Sequence, residues 1–368
     1  MGYRYKMAGI LSALTVAGAV IFSACDANAC SRALNSDNGI AILDGRNMDW
    51  PDTFNGTDLW LLPRGMQRES QSTGKHLSWT SKYASISAVT YMDKEKHAAV
   101  ADGMNEKGLI ANMLWLSDSD YGKRDPSVSG LGMSMWAQYV LDNFSTVDEA
   151  VKVLENPPYQ LETLAIPVNG VILGANLHLA LADKTGDSAI IEYANGKAVV
   201  HHGREFITMT NDPTYDKQLE NLKQYDSFGG TKPLPGTINA DDRFVRVSYY
   251  LKKLPKPKTL RQALAHTFSI MRNAAQPFST VKDVMHPNSS ATQWTTVGDL
   301  TNGTYYLLTA TSPNIIWANF SEFKLDELTA PLKLDLSGDP DYIGDASGKF
   351  VKAELFNFLP VPEEKAAK

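Results

Sequence analysis

The sequence predicts an α+β domain in which antiparallel sheets pack on one another with helices outside. Three observations carry that expectation. The apolar periodicities come in blocks (strands, helices, strands, helices, strands) without the strand–helix alternation that builds a parallel sheet. Strong hairpin signals join the strands: Asn35-Ser36-Asp37-Asn38-Gly39, Asn195-Gly196 and Thr301-Asn302-Gly303. Finally, 368 residues that are 43% hydrophobic and carry 2 cysteines suffice to bury a core without disulfide staples.

The strand pattern opens at Cys30 to Leu34 and returns, after the turn, along Ile40 to Trp50. The two-residue period puts Arg46, Met48 and Trp50 on one face and Asn47 and Asp49 on the other, unless a bulge intervenes near the strand end. Strand-like runs follow at Leu59 to Leu62, Tyr83 to Tyr91 and Ala98 to Ala101. Asp102 to Gly108 reads as a loop before the apolar strand Leu109 to Leu116. A polar connection, Tyr121 to Gly132, leads to helices at Met133 to Phe144 and Val147 to Leu154, the second opened by a Thr146–Glu149 capping box. Short strands are expected at Asn176 to Ala182, Ser188 to Tyr193, Ala198 to His202 and Phe206 to Thr210. Asp212 as N-cap and Pro213 at the first helical position would start a helix over Thr214 to Tyr225. After the Gly/Pro-rich stretch Gly229 to Gly236 come helices at Asp241 to Leu251 and, capped by Thr259 with Gln262, up to Arg272. The last strands are Thr292 to Asp299, Thr304 to Thr309 and Ile315 to Phe320. No repeat, low-complexity tract or linker divides the chain, so residues 30–361 are expected to form a single domain with a polar tail at 362–368.

The formal net charge of −6, with no basic tract, argues against nucleic acid as a partner. Residues 1–29 have the make-up of a secretory signal peptide: basic Arg4 and Lys6, an apolar run from Met7 to Phe22, then the small-residue site Ala27-Asn28-Ala29. The apolar run, interrupted by Ser12, Thr15 and Gly18, is short of a membrane span. No second run of spanning length follows, so no stable membrane insertion is expected after signal removal and the mature protein should be periplasmic or secreted. Phe22-Ser23-Ala24-Cys25 offers a competing lipoprotein site, to which Phe22 fits poorly.

Cleavage after Ala29 makes Cys30 the first residue, with a thiol and a free α-amine on the same residue. The thiolate is the nucleophile, and an amine of pKa about 7.7–8.0 can serve as base and then acid. The bland alternative is a small buried cysteine that only packs. Arg46 near the thiol would favour thiolate, and Asp49 near the α-amine would orient it; an Arg and an Asp on one strand can equally be a surface pair. The adjacent His201 and His202 lack the spacing of a metal site, so neither metal nor cofactor is expected.

In order, Cys30, Arg46-Asn47-Met48-Asp49-Trp50, Asp102-Gly103-Met104-Asn105-Glu106-Lys107-Gly108-Leu109, Thr210-Asn211-Asp212-Pro213 and Arg243-Phe244-Val245-Arg246 resemble the choloylglycine hydrolase family of penicillin V acylases and bile salt hydrolases. Thr292-Gln293-Trp294-Thr295, Asn302 and Tyr305-Tyr306 look like that family's C-terminal strands. The resemblance implies a four-layer αββα sandwich of the N-terminal nucleophile hydrolase type and a small-molecule amide substrate. It implies that Cys30 attacks the amide carbonyl, that Arg46 tunes the thiolate and that Asp49 holds the α-amine. It further implies that Asn211 donates to the oxyanion and Arg243 stabilises charge around it. Read alone, Asn211 suits an Asx turn just as well. Trp50 and Trp115 resemble the aromatic pair of the family's Gram-negative, penicillin V acylase-like branch. Two indoles would form an apolar wall for a phenoxyacetyl or fatty acyl group, which extends the expectation to N-acyl homoserine lactones; two core tryptophans are the plain alternative. The interval from Asn211 to Arg243 is shorter than the excursion that helps hold the Gram-positive tetramer, so homo-oligomer formation is left open.

Overall fold

The computed structural model describes residues 30–50, 56–168, 171–278 and 290–362. The expected signal peptide, 1–29, and residues 363–368 of the expected tail lie outside them. Two large sheets dominate. The seven-stranded sheet has the order β16 (Thr208–Thr210), β1 (Ser31–Asn35), β2 (Leu43–Trp50), β17 (Ala291–Asp299), β18 (Thr304–Thr309), β19 (Ile315–Asn319) and β21 (Gly344–Asp345). The nine-stranded sheet has the order β15 (Lys197–His202), β14 (Ser188–Ala194), β13 (Leu177–Asp183), β8 (Leu109–Trp115), β7 (Ala98–Asn105), β6 (Ser85–Tyr91), β3 (Thr57–Leu62), β20 (Leu332–Leu334) and β22 (Val351–Lys352). Neighbours in both are antiparallel except β19 and β21. Three two-stranded ribbons complete the strands: β4 (Gln67–Glu69) with β5 (Ser78–Thr80), β9 (Gly130–Gly132) with β10 (Gln160–Glu162), and β11 (Leu164–Val168) with β12 (Val171–Ala175).

The sheets face each other across a buried layer in which Leu34, Met48, Trp294 and Leu307 of one pack with Ile86, Leu114 and Ile190 of the other. Helices α1 (Trp136–Asn143) and α2 (Val147–Leu154) cover the outer face of the nine-stranded sheet. Helices α4 (Ala240–Lys253) and α5 (Leu260–Ala274) cover the outer face of the other, where Ala33 packs against Val247, Ile270 and Met271. The shorter α3 (Tyr215–Leu222) packs beside α4. The order of layers is therefore αββα, as expected. No helix among the described residues is long and apolar enough to cross a membrane.

Strand alternation sorts β2 as predicted. Asn47 points to the helices and donates to the Met271 carbonyl at 2.7 Å, whereas Arg46, Met48 and Trp50 line a cleft on the layer side. Gly45 lies under α5, where a Cβ would stand 2.8 Å from Met271 Cγ, so any larger residue would force the Met271 side chain to shift. The bulge falls on the partner strand: the β2–β17 register shifts between Thr292 and Trp294, and β2 keeps its alternation.

Two local expectations are corrected. Asp102 to Asn105 is not loop but the end of β7, and the Asp/Gly/Asn run is buried because Asp102 pairs across to Asn112 on β8. Asp212 does not cap α3; its carboxylate accepts from the Ser117 amide at 2.8 Å, and Thr214 takes the N-cap position. Thr146 caps α2 as expected, accepting from the Glu149 amide at 3.2 Å, while the Glu149 carboxylate accepts from the Ser145 amide at 2.7 Å and, more weakly, from the Thr146 amide. The β11–β12 hairpin was not anticipated.

Candidate active site

Cys30 immediately precedes β1 and sits at the end of the layer. Continuing the β1–β2 register from Ser31 opposite Asn47 sets it beside Met48, whose Sδ is 3.9 Å from Cys30 Sγ. The thiol is also 3.7 Å from Arg46 Nη2 and 3.7 Å from the Asp49 carbonyl, to which it donates. Arg46 is held by the layer itself: Nη2 donates to the Met113 carbonyl of β8 at 2.9 Å, and its guanidinium carbon lies 4.5 Å from the Trp294 ring centroid.

The opposite flank of Cys30 is fixed from a distance in sequence. Pairing of β16 with β1, Thr210 opposite Ser31, delivers Asn211. Helix α4 delivers Arg243, whose Nη1 donates to the Cys30 carbonyl and to Ser31 Oγ, each at 2.5 Å, while Nη2 donates to Asn211 Oδ1 at 3.3 Å. Asn211 Nδ2 donates to the Trp115 carbonyl at 3.0 Å, which leaves the amide one further hydrogen for another acceptor. Asp49 Oδ1 accepts from Thr292 Oγ1; Asp49 Oδ2 is buried and has no partner among the described residues. Trp50 and Trp115 meet edge to face with ring centroids 6.3 Å apart. All seven residues singled out in the sequence are thus brought together, and the five polar or thiol groups are each at most 3% exposed.

Burial sets the electrostatics. It pushes the Cys30 thiol up, against the opposing pull of Arg46 and, more weakly, Arg243, while Asp49 adds to the rise. Burial likewise pushes Asp49 up to about 7, opposed by Arg243, the Thr292 hydroxyl and Arg46. In the full-length chain the Cys30 nitrogen belongs to a peptide bond. An α-ammonium created there by cleavage would add a positive charge next to the thiol and an acidic hydrogen for Asp49.

The cleft around the thiol is small and open to solvent and, beyond Cys30 and Arg46, is lined by Met48, Trp50, Met92, Met113, Trp115, Leu164, Ile166, Leu177, two alanines and Thr90. A larger open cavity lies at the other end of β1, between α3, α4 and the first turn. It lacks Cys30 and Arg46, which line the smaller one, so chemistry places the site there. Sequence reasoning missed Thr292 as the partner of Asp49, Trp294 as the platform under Arg46, and the β11–β12 residues Leu164 and Ile166. The Asn169-Gly170 pair, a hairpin signal between two apolar runs, could have found that ribbon. The histidine pair is occupied elsewhere: His202 Nε2 lies 2.8 Å from Asp187 Oδ2, and His201 packs 4.9 Å from the Tyr215 ring.

A family model for linear amide C–N hydrolases of the choloylglycine hydrolase family matches residues 30–333. The chain is 41% identical to the penicillin V acylase of Pectobacterium atrosepticum over 367 residues, 95% of each chain. It is 29% identical to a bile salt hydrolase/transferase of Clostridium perfringens over 317 residues, covering 80% of this chain and 93% of the relative. Among solved structures, penicillin V acylase from Agrobacterium tumefaciens matches with a TM-score of 0.77 at 40% identity, over 90% of this chain and 99% of the other. A mutant of the conjugated bile acid hydrolase from Clostridium perfringens matches with a TM-score of 0.67 at 25% identity, over 92% and 100%. The two sheets and their outer helices are therefore the N-terminal nucleophile hydrolase fold. The chain belongs to the choloylglycine hydrolase family and is a penicillin V acylase-like linear amide C–N hydrolase, with the bile salt hydrolases as more distant relatives.

Proposed function

We propose that removal of residues 1–29 in a periplasmic or secreted setting exposes Cys30 as the catalytic nucleophile, and that the enzyme prefers amides with aryl or long alkyl acyl groups. Its substrates are then of the penicillin V type and include N-acyl homoserine lactones. The observation that carries this reading is the position of the Cys30 thiol, beside Arg46 and at the edge of a cleft walled by Trp50 and Trp115. Among the described residues Thr90 is the one hydroxyl in the cleft lining, so a hydroxylated steroid acyl group would lose hydrogen bonds to water without recovering them.

The α-amine takes the thiol proton as Cys30 Sγ attacks the amide carbonyl carbon, and Arg46 favours the thiolate. The remaining hydrogen of Asn211 Nδ2 is offered to the oxyanion, and Arg243 braces both Asn211 and the Cys30 main chain. The C–N bond then breaks, the amine leaves with the proton held on the α-amine, and a thioester remains on Cys30. Water, deprotonated by the same α-amine, attacks the thioester; the acid leaves and the thiol is restored. The buried Oδ2 of Asp49, unpartnered among the described residues, is the acceptor that orients the α-amine through the cycle.

The test is Cys30→Ser, made in protein whose first residue is established by N-terminal sequencing. The variant should fold, form no thioester and lose amide hydrolysis; retained turnover would sink the mechanism. Penicillin V, a long-chain N-acyl homoserine lactone and glycocholate, compared on one preparation, test the preference. Faster turnover of glycocholate than of both others would reverse it.

A further inference from the structure

Arg46 is a cation buried to 1% exposure whose charge no carboxylate touches among the described residues. Its Nη2 serves Met113 and Cys30, its plane rests on Trp294, and its Nε and Nη1 have no hydrogen-bond partner among those residues. A guanidinium so placed needs opposite charge nearby, because desolvating an uncompensated ion is costly. The facing sheet provides it. Asp102 on β7 is fully buried; its Oδ1 accepts from the Tyr305 hydroxyl of β18, and its Oδ2 accepts from Asn112 Nδ2 of β8 at 2.6 Å. Burial pushes the Asp102 carboxyl up, and Arg46 together with the hydrogens that both carboxyl oxygens receive opposes that rise and favours the ionised form. The two donors come from opposite sheets, so the carboxylate cannot rotate.

Arg46 lies within electrostatic reach of Asp102. The carbonyl it takes belongs to Met113, the residue after Asn112, and its cross-strand partner is Thr296, whose hydroxyl lies near both Asp102 and Tyr305. Arg46 is the foremost cationic influence on Cys30 and on Asp102 alike. The other charged groups are accounted for: Asp49 from β2 and Arg243 from α4 face Cys30, while Asp44 from β2 faces Asp102 and is itself bonded to Arg32 at 2.6 Å.

We propose that Asp102 is a positioning residue for the nucleophile: a counter-charge pinned by Tyr305 and Asn112 so that it balances Arg46 without taking the guanidinium hydrogens away from Cys30. This rests on the reading of Cys30 as a thiol activated by Arg46. Two perturbations then act in opposite directions. Asp102→Asn removes negative charge, Arg46 acts on the thiolate undiminished, and the thiol ionises at lower pH by about one unit. Tyr305→Phe unpins the carboxylate, which turns onto the open Nε and Nη1 of Arg46, and the thiol ionises at higher pH.

The experiment is the pH dependence of iodoacetamide alkylation at Cys30, followed by mass spectrometry in protein shown to begin at that residue. Circular dichroism and thermal unfolding are recorded for each variant. The expected result is a midpoint about one pH unit lower for Asp102→Asn and higher than wild type for Tyr305→Phe. Midpoints that do not move, or that move the same way in both, overturn the proposal. Loss of stability alone would not produce opposite shifts. Should Asp102→Asn fail to fold, Tyr305→Phe decides: an upward midpoint supports the proposal, and an unmoved or lowered one overturns it. Failure of the underlying reading is seen separately, as turnover retained in Cys30→Ser or an alkylation profile unchanged in Arg46→Ala.

Discussion

Thr292→Val tests whether Asp49 acts as an ionised group. Thr292 Oγ1 donates to Asp49 Oδ1 and accepts from the Gln276 amide at 2.8 Å, so the hydroxyl ties the carboxylate to the main chain ahead of β17. Valine keeps the shape and β-branching and removes both bonds. A hydrogen bond to a charged group is worth about 1.5–3 kcal/mol, equivalent to one to two units of pKa. The sign follows from the donor: a hydroxyl stabilises the carboxylate over the carboxylic acid, so its loss raises the Asp49 pKa. Asp49 stands at about 7 in the uncleaved chain, and an α-ammonium at its open Oδ2 would bring it down. In the mature enzyme the acid limb of the kcat/KM profile should therefore move up by about one pH unit or more, with activity recovering above it. Thr292→Ser should restore the limb. The assay is kcat/KM for penicillin V from about pH 4 to about 9, together with unfolding curves, since the stranded Gln276 amide costs about 1–3 kcal/mol of stability. A folded variant that loses activity evenly at every pH would refute the assignment, because the hydroxyl would then act on geometry and not on ionisation.

Two further outcomes are expected. Trp115→Leu removes the edge-to-face contact with Trp50, worth about 0.5–1.5 kcal/mol beyond lost area, so kcat/KM for phenoxyacetyl and long acyl amides should fall about tenfold, checked by steady-state kinetics across acyl groups. Arg32→Ala strands the fully buried Asp44 carboxylate and should cost about 3–5 kcal/mol in urea unfolding, whereas the double change Arg32→Met with Asp44→Leu should recover most of the loss.

The sequence made legible those parts of the fold in which local pattern and tertiary context agree. The Asn35–Gly39 turn and the alternation of Arg46, Met48 and Trp50 against Asn47 follow from turn chemistry and period alone. Asp102 does not. Asp-Gly-Met-Asn reads as a turn because those residues usually seek water, yet here Asn112 and Tyr305, the latter 203 positions away, satisfy the carboxylate inside the layer. Asp212 misleads for the same reason: a residue suited to cap its own helix is claimed by Ser117, 95 positions earlier. Convergence on Cys30 was equally illegible from spacing, since Arg243 lies 213 residues on. Only resemblance of ordered motifs named Asn211 and Arg243 in advance. It set Thr292 on a C-terminal strand but gave it no role, because that role depends on where a bulge falls.

The site follows from placing Cys30 at the end of a strand between two unlike surfaces. Residues 46 and 49 point to opposite faces of β2, so neither face alone could present both an arginine and an aspartate to one neighbour. Cys30 resolves this because its two functional groups also diverge. Its thiol lies on the layer side with Met48 and Arg46, where a buried cation acts directly on thiolate. Its main chain is gripped from the other side by Arg243 of α4, near the carboxylate of Asp49. Thiol ionisation is thus governed chiefly by Arg46 on one face and main-chain orientation by Arg243 on the other, with Asp49 and Arg243 acting on the thiol as well. Changes to Asp102 or Tyr305 should move the thiol's ionisation, while changes to Thr292 should move the acid limb set by Asp49. Each class should show most strongly in its own readout and more weakly in the other, because Asp49 also raises the thiol and Arg46 also lowers Asp49.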